Sequence, residues 1–230
     1  MMGIDTCCIL FVKEPKPGTV KTRLTTHITA EEAAELYRAF VIDSVDLVRK
    51  SNADMRVIAH TPAECAETIS SMVPNLAGFL LWPQRGKNLG DRMTTALLRS
   101  FEQGCERTVI IGSDTPSLPP HCIDVALSRL EETEVVIGPS VDRGYYVVGQ
   151  RAGEVRLFER IQWSTGRVLE QSLECLGDIS MSVLHPWYDV DTVEEAAFLK
   201  VHLTALARAG SGTAPNTSAV LAKLDLPPPS

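Results

Sequence analysis

Apolar positions along the chain alternate between short continuous runs and longer stretches at helical spacing. Cys7-Cys8-Ile9-Leu10-Phe11-Val12 is unbroken and of strand length, the pattern of a strand buried on both faces. A helix starts at Thr29: Glu32 three residues on completes a capping box, and Ala33, Leu36, Tyr37, Phe40, Val41 and Val45 follow at helical spacing. Met55 to Ala59 predicts a second strand, with a short helix after Pro62, and Phe79 to Trp82 a third, closed by Pro83. Asp91 to Phe101 predicts a helix, Thr108 to Gly112 the clearest central strand, and Pro119 to Glu131 a helix with proline in its first turn. Val135 to Gly138 is a further strand, beside which Tyr145 to Val148 can pair. Helices near Glu154 to Ile161 and from Arg167 to Leu176, a strand over Ile179 to Leu184, and a helix from Val193 to Leu206 complete the pattern. Strands separated by helices of this length predict a three-layer α/β/α fold around a mainly parallel sheet.

The chain has 230 residues and no internal repeat. One domain over residues 1–208 is expected, long enough to bury a core without staples. From Ala209 the composition turns to Gly, Ser, Thr, Ala, Pro and Asn, and the chain ends in Pro227-Pro228-Pro229-Ser230. Residues 209–230 therefore read as a poorly ordered tail, in which Val220 to Leu226 has enough apolar content to dock as a short piece. The 22 Lys and Arg against 29 Asp and Glu leave a formal charge of −7. That balance disfavours nucleic acid as a partner, because such binding needs basic surface to neutralise phosphates. No apolar stretch is long enough to span a bilayer, and no signal-peptide pattern is present, so the cytoplasm is the expected location. Six cysteines without a CxxC pair then read as reduced, mostly buried thiols.

Candidate chemistry begins directly after the first strand. Lys13, Lys16, Lys21 and Arg23 face a single acid, Glu14, within eleven residues, a local charge of +3 in an acidic protein. Ligands of open parallel sheets bind beyond the carboxyl ends of the strands. Gly18 lets backbone amides approach a ligand, and Lys and Arg suit phosphate oxygens. The segment is therefore a candidate phosphate cradle; the alternative is a solvated basic loop. It is not a Walker A loop, since Val20 stands where that motif has glycine, and no dinucleotide fingerprint is present.

Three acidic stations follow strand ends. Asp114, in Gly112-Ser113-Asp114-Thr115-Pro116, is placed as a hard-cation ligand or as a helix cap. Asp142 sits in Asp142-Arg143-Gly144-Tyr145-Tyr146, where a plain turn role is the alternative. Asp189 and Asp191 fall on one side of an extended segment, a plausible carboxylate pair for Mg²⁺ or Mn²⁺, while Asp191 or Thr192 also suits the cap of the last helix. Asp-Val-Asp-Thr-Val matches a phosphatase nucleophile motif, but it comes too late in the chain for that role. The five histidines share no metal-ligand spacing. Cations and carboxylates together suit transfer at a nucleoside diphosphate or triphosphate.

Several segments resemble, in order, the nucleotide-diphospho-sugar transferases of the glycosyltransferase-A fold, most closely the small bacterial "transferase 1" branch. They are Phe11 to Leu24, Leu89-Gly90-Asp91-Arg92-Met93, Gly112 to Pro116, Asp142 to Tyr146, Trp163-Ser164-Thr165, and Asp189-Val190-Asp191-Thr192. Lys21-Thr22-Arg23-Leu24 is also similar to 2-phospholactate guanylyltransferase, and the layout to molybdenum-cofactor guanylyltransferase. The resemblance implies that Lys13, Gly18, Lys21 and Arg23 hold nucleotide phosphates, with Gly90 in the same cofactor-binding set. It implies that Gln84 reads the base, that Asp114 and Asp191 ligate Mg²⁺ or Mn²⁺, and that Asp114 and Asp142 are catalytic. Trp163 reads either as a stacking platform or as core. One departure stands out: Arg143 replaces the first glycine of the family's usual Asp-Gly-Gly-Tyr-Tyr and adds a charge beside the acceptor region. The function implied is glycosyl transfer from a nucleotide sugar to an unidentified acceptor. The alternatives are nucleotidyl transfer from an NTP to a phosphorylated acceptor with pyrophosphate release, and a nucleotide-binding module without catalysis. A homodimer is compatible with each.

Overall fold

The computed structural model describes residues 4–154 and 156–228. The first apolar run forms β1 (Thr6–Lys13). It sends Cys8, Leu10 and Val12 into one core and Cys7 and Ile9 into the other, the alternation of a strand covered on both faces. Parallel to it on either side lie β2 (Met55–Thr61) and β4 (Arg107–Gly112), and β3 (Phe79–Pro83) continues beyond β2. Beyond β4, β6 (Tyr145–Arg151) runs antiparallel between β4 and β5 (Val135–Pro139), and β7 (Met181–Val183) pairs parallel with β5 at the far edge. The order is β3-β2-β1-β4-β6-β5-β7, with β6 alone reversed among these strands.

Helices cover both faces. α1 (Ala30–Arg49), α2 (Ala66–Met72), α4 (His121–Arg129), α6 (Val193–Arg208) and α7 (Pro215–Leu221) bury side chains in one core; α3 (Leu89–Glu102) and α5 (Val168–Leu176) bury theirs in the other. This is the expected three-layer α/β fold. The predicted capping box is present: Thr29 Oγ1 accepts from Glu32 N–H at 3.1 Å, and Glu32 Oε2 accepts from Thr29 N–H at 2.8 Å. The fully buried Leu36 and Phe40 then dock α1 on the sheet, each contributing about 1.5–3 kcal/mol.

Two expectations fail. Residues 157–160 form turns rather than a helix, and Val155 of that predicted helix lies outside the described residues. Leu157, Phe158 and Ile161 are buried there, while Arg160 adopts a left-handed φ of 56°, which breaks helical continuation. The segment from Ala209 is not a loose tail. It contains α7, whose Leu221 packs in the same core as α1, along with Ala214 and Leu224. The buried Asp43 of α1 accepts from Asn216 Nδ2 at 2.8 Å and Thr217 N–H at 2.7 Å, so a carboxylate from another helix caps α7. Pro229 and Ser230 lie outside the described residues. Among the described residues, no helix is long and apolar enough to cross a membrane, and Cys7, Cys8, Cys65 and Cys105 are buried free thiols.

Because β1, β4, β5 and β7 run in one direction, their carboxyl ends share one edge of the sheet. The segments leaving that edge carry Lys21, Asp114, Asp142 and Asp191.

Candidate active site

The basic loop leaves β1 anchored to its neighbour: Glu14 N–H donates to Thr61 O at 2.9 Å. Gly18 turns the chain at a φ of +77° in open space. Lys21 itself is left-handed, at φ 48°, and precedes a short 3-10 turn over Thr22–Thr26. For a non-glycine residue that backbone costs about 1 kcal/mol. It is held there by what the side chain meets. Lys21 Nζ lies 2.5 Å from Asp114 Oδ1 and 2.7 Å from Asp191 Oδ1, and the side chain is only 4% exposed. The rings of Phe40 and Tyr37 stand 5.5 and 5.8 Å from the ammonium. Lys13, Lys16, Gly18 and Arg23, by contrast, are exposed.

Asp114 follows the end of β4, and a second segment is sewn to its loop. Val190 N–H donates to Asp114 O at 3.0 Å. Ser117 Oγ accepts from Trp187 Nε1 at 3.2 Å and donates to Tyr188 Oη at 2.9 Å, and Tyr188 Oη pairs with His202 Nδ1 at 2.6 Å. Tyr37, buried on α1, accepts from Lys13 N–H at 3.0 Å and pairs with Ser113 Oγ at 2.8 Å, so one hydroxyl joins the ends of β1 and β4. Asp191 stands one residue before Thr192, the cap of α6. Glu195 Oε2 accepts from the N–H groups of Asp191 at 2.7 Å and Thr192 at 2.8 Å. Of the two caps the sequence allowed, Thr192 is the one used, and its capping box with Glu195 also fixes the backbone at Asp191.

The charges are strongly coupled. Burial works against the Lys21 ammonium, but Asp114 and Asp191 outweigh it and hold its pKa above the ordinary lysine value. Burial likewise opposes the Asp191 carboxylate, yet Lys21, Arg23 and Lys13 hold its pKa below the usual range. Asp189 goes the other way. Burial, and then the charge of Asp142, push it up to about 7, with Asp114 and Asp191 adding to the effect. Tyr37 is pushed up to about 12, chiefly by burial and then by Asp114, and so stays a neutral hydroxyl.

Lys21, Asp114 and Asp191 are therefore brought into contact, with Lys13 and Arg23 close enough to act on Asp191. The remaining predicted residues are placed differently. Asp142 is exposed, and its Oδ1 accepts from Gly144 N–H at 2.8 Å, a turn role; its charge still reaches Asp189. Arg143 takes a φ of 74° in that turn, the left-handed backbone for which glycine is suited. Gln84 Nε2 donates to Val12 O at 3.2 Å and Ala59 O at 2.8 Å, so both amide hydrogens are committed to main-chain carbonyls and only Oε1 is left to meet a base. Gly90 is buried: a Cβ there would stand 2.8 Å from Trp163 Cζ2 and 3.1 Å from Phe158 O, which makes it a packing position. Trp163 is thereby part of the core around α3. Sequence reasoning passed over Tyr37, which its helical spacing marks only as core; the hydroxyl was the available signal. Of the Asp189–Asp191 pair read from the sequence, only Asp191 contacts Lys21, while Asp189 is the carboxyl pushed up to about 7 by burial and its acidic neighbours.

Two carboxylates converging on one cation fit a divalent ion that draws its other ligands from a substrate. Mg²⁺ is commonly held by one or two carboxylates plus substrate phosphates. Among the described residues, no group of three or more His, Cys, Asp or Glu side chains is arranged to hold a metal by itself.

A family model described as "Uncharacterized protein conserved in bacteria (DUF2064)" matches residues 44–165, more than half of the chain. The chain belongs to this family. As a DUF2064 member it also shares 32% identity with a crystal structure from Desulfovibrio desulfuricans G20, provisionally assigned as a nucleotide-diphospho-sugar transferase. The TM-score is 0.85, and the match covers 96% of this chain and 95% of that one. This places the DUF2064 chain in the nucleotide-diphospho-sugar transferase superfamily, with that fold. 4-diphosphocytidyl-2C-methyl-D-erythritol synthase from Anaerococcus prevotii DSM 20548 matches at 11% identity and TM-score 0.56, covering 87% of this chain and 98% of that one. Rv0371C of Mycobacterium tuberculosis H37Rv, in complex with manganese, matches at 15% and 0.51, covering 86% and 98%. At these identities the likeness is one of fold alone. No curated protein matches the sequence.

Proposed function

We propose that the chain is a metal-dependent transferase that uses a nucleotide-activated donor, with glycosyl transfer from a nucleotide-diphospho-sugar as its reaction. The observation that carries this is the convergence of Asp114 and Asp191 on a single cation at the carboxyl edge of the sheet, beneath the exposed Lys13 and Arg23. The D. desulfuricans relative, assigned to nucleotide-diphospho-sugar transfer, supports the same donor class. The manganese complex of the mycobacterial structure supports the choice of a divalent ion.

In this reading Asp114 and Asp191 hold Mg²⁺ or Mn²⁺, which when bound neutralises charge on the departing phosphate. Lys13, Lys21 and Arg23 bind phosphate oxygens, Gly18 lets the loop backbone approach them, and Gln84 Oε1 meets the base. Asp142 faces the acceptor, with Arg143 supplying a cation to an anionic one. The acceptor oxygen attacks the anomeric carbon, the bond to the phosphate oxygen breaks, and the nucleoside diphosphate leaves. One observation favours a second reaction: four cations on one loop are more than a diphosphate needs, which suits an NTP and attack on its α-phosphate with pyrophosphate released.

A thermal-shift panel of NTPs, NDPs and nucleotide sugars with Mg²⁺, Mn²⁺ or EDTA tests the proposal on wild type and Asp114→Asn. A ligand at a hundred times its Kd adds about 2.7 kcal/mol of apparent stability. One nucleotide should raise the melting temperature only with metal, and Asp114→Asn should lose that response. Release of nucleoside diphosphate or of pyrophosphate then separates the two reactions. No shift of the wild type by any nucleotide with either metal would sink the proposal.

A further inference from the structure

The position that a shared divalent ion would take between Asp114 and Asp191 is filled by part of the protein. Lys21 Nζ contacts Asp114 Oδ1 at 2.5 Å and Asp191 Oδ1 at 2.7 Å, with the side chain 4% exposed. An ion ligated by both oxygens at the roughly 2.1 Å of a Mg²⁺ bond would stand where the ammonium stands. Two cations cannot share that interval, because a partly buried site screens their repulsion poorly. Without a cation the two facing carboxylates would repel each other, so the pair favours an occupant.

We infer that Lys21 is the resident cation of the Asp114–Asp191 pair in the nucleotide-free protein. A divalent ion replaces it only when donor phosphates give the ammonium another anion to bind. The inference rests on the transferase reading given above. The loop supplies the means. Lys21 lies on the same segment as the exposed Lys13 and Arg23, so phosphates bound by those two would arrive beside it. Gly18, turning in open space at φ +77°, and Lys21, at φ 48°, are the two left-handed points about which the segment can re-aim the side chain. The donor set supplies the reason. No third His, Cys, Asp or Glu among the described residues completes a metal site around the pair. Phosphate oxygens would therefore serve twice, drawing the lysine away and filling the coordination shell. Metal and nucleotide then bind interdependently, and each tightens the other by the same factor.

Manganese binding, read from the electron paramagnetic resonance signal of the free aqueous ion, tests this without any turnover. The proteins are wild type, Lys21→Met, Lys21→Arg and the double variant Lys21→Met/Asp114→Asn, each checked for folding by circular dichroism. Lys21→Met, which keeps length and removes charge, should bind manganese alone at least about tenfold more tightly than wild type. Lys21→Arg, which keeps the charge, should stay near wild type, and the double variant should lose the gain. A folded Lys21→Met that binds manganese no better than wild type overturns the inference. Should Lys21→Met fail to fold, the wild type decides: manganese affinity should rise about tenfold or more with the nucleotide selected by the thermal panel, and equal affinity with and without it overturns the inference. If Lys21→Met gains manganese while no nucleotide tightens manganese on wild type, the transferase reading fails and the hold of Lys21 on the pair stands.

Discussion

At Gly90 the side chain matters by its absence. The position lies in a segment resembling the transferase family, but its neighbours are Trp163 and the carbonyl of Phe158 rather than open space. A methyl group there would press on an indole and on backbone, neither of which yields easily. Gly90→Ala should cost about 1–3 kcal/mol, read as a lower urea midpoint at unchanged slope. A variant as stable as wild type would refute the packing role. Lys21 and Arg143 are the opposite case: both sit in left-handed backbone where a side chain is costly. For Lys21 the two ion pairs hold the side chain in place; for Arg143 no comparable anion stands among the described residues.

Among the elements, α6 and α7 show how a terminus can do more than end a helix. The Thr192–Glu195 box that starts α6 also fixes the N–H of Asp191, so helix capping and the placement of Asp191 are one set of hydrogen bonds. The start of α7 has no cap from its own sequence; Asp43 of α1 provides it across more than 170 residues. Asp43→Ala would leave the buried Thr217 N–H without its acceptor, at a cost of about 1–3 kcal/mol. Limited proteolysis should then cut sooner between residues 209 and 214, since α7 would detach before the sheet opens. Unchanged cutting there would mean that the apolar contacts of Leu221 and Leu224 hold α7 without the cap.

Across the whole molecule the two edges of the sheet have different work. The carboxyl edge gathers the Lys21, Asp114 and Asp191 charges, whereas the opposite edge uses charge to close the fold. There Asp54 Oδ2 accepts from Thr6 Oγ1 at 2.8 Å, Thr6 N–H at 2.9 Å and Asp5 N–H at 3.1 Å. The Thr6 hydroxyl first, then the N–H groups of Thr6 and Asp5 and the charge of Arg107, hold the Asp54 carboxyl below the usual carboxylate range against the opposing effect of burial. A depressed folded pKa contributes stability above the unfolded value, near 4, and loses it as pH falls through the folded value. The melting-temperature gap between wild type and Asp54→Asn should therefore be present at pH 7 and shrink as pH is lowered below about 4. A gap that stays constant over that range would show that the carboxylate charge contributes nothing.

The alternation of apolar runs with helical periods determined the three-layer fold, because burial on both faces leaves a strand no polar positions. The capping box of α1 was equally legible, and the cap of α6 was narrowed to Asp191 or Thr192, since a cap is a contact over three residues. The chemistry was legible as stations: a basic loop after β1, and carboxylates after β4 and before α6. Tertiary structure alone decided how they meet. Lys21 and Asp191 are 170 residues apart, and only the shared direction of β1, β4 and β7 brings both beside Asp114. The commitment of the Gln84 amide to backbone, the packing of Gly90 on Trp163, and the docking of α7 on Asp43 are likewise long-range contacts. No local propensity encodes them, because each depends on what the fold sets opposite the residue.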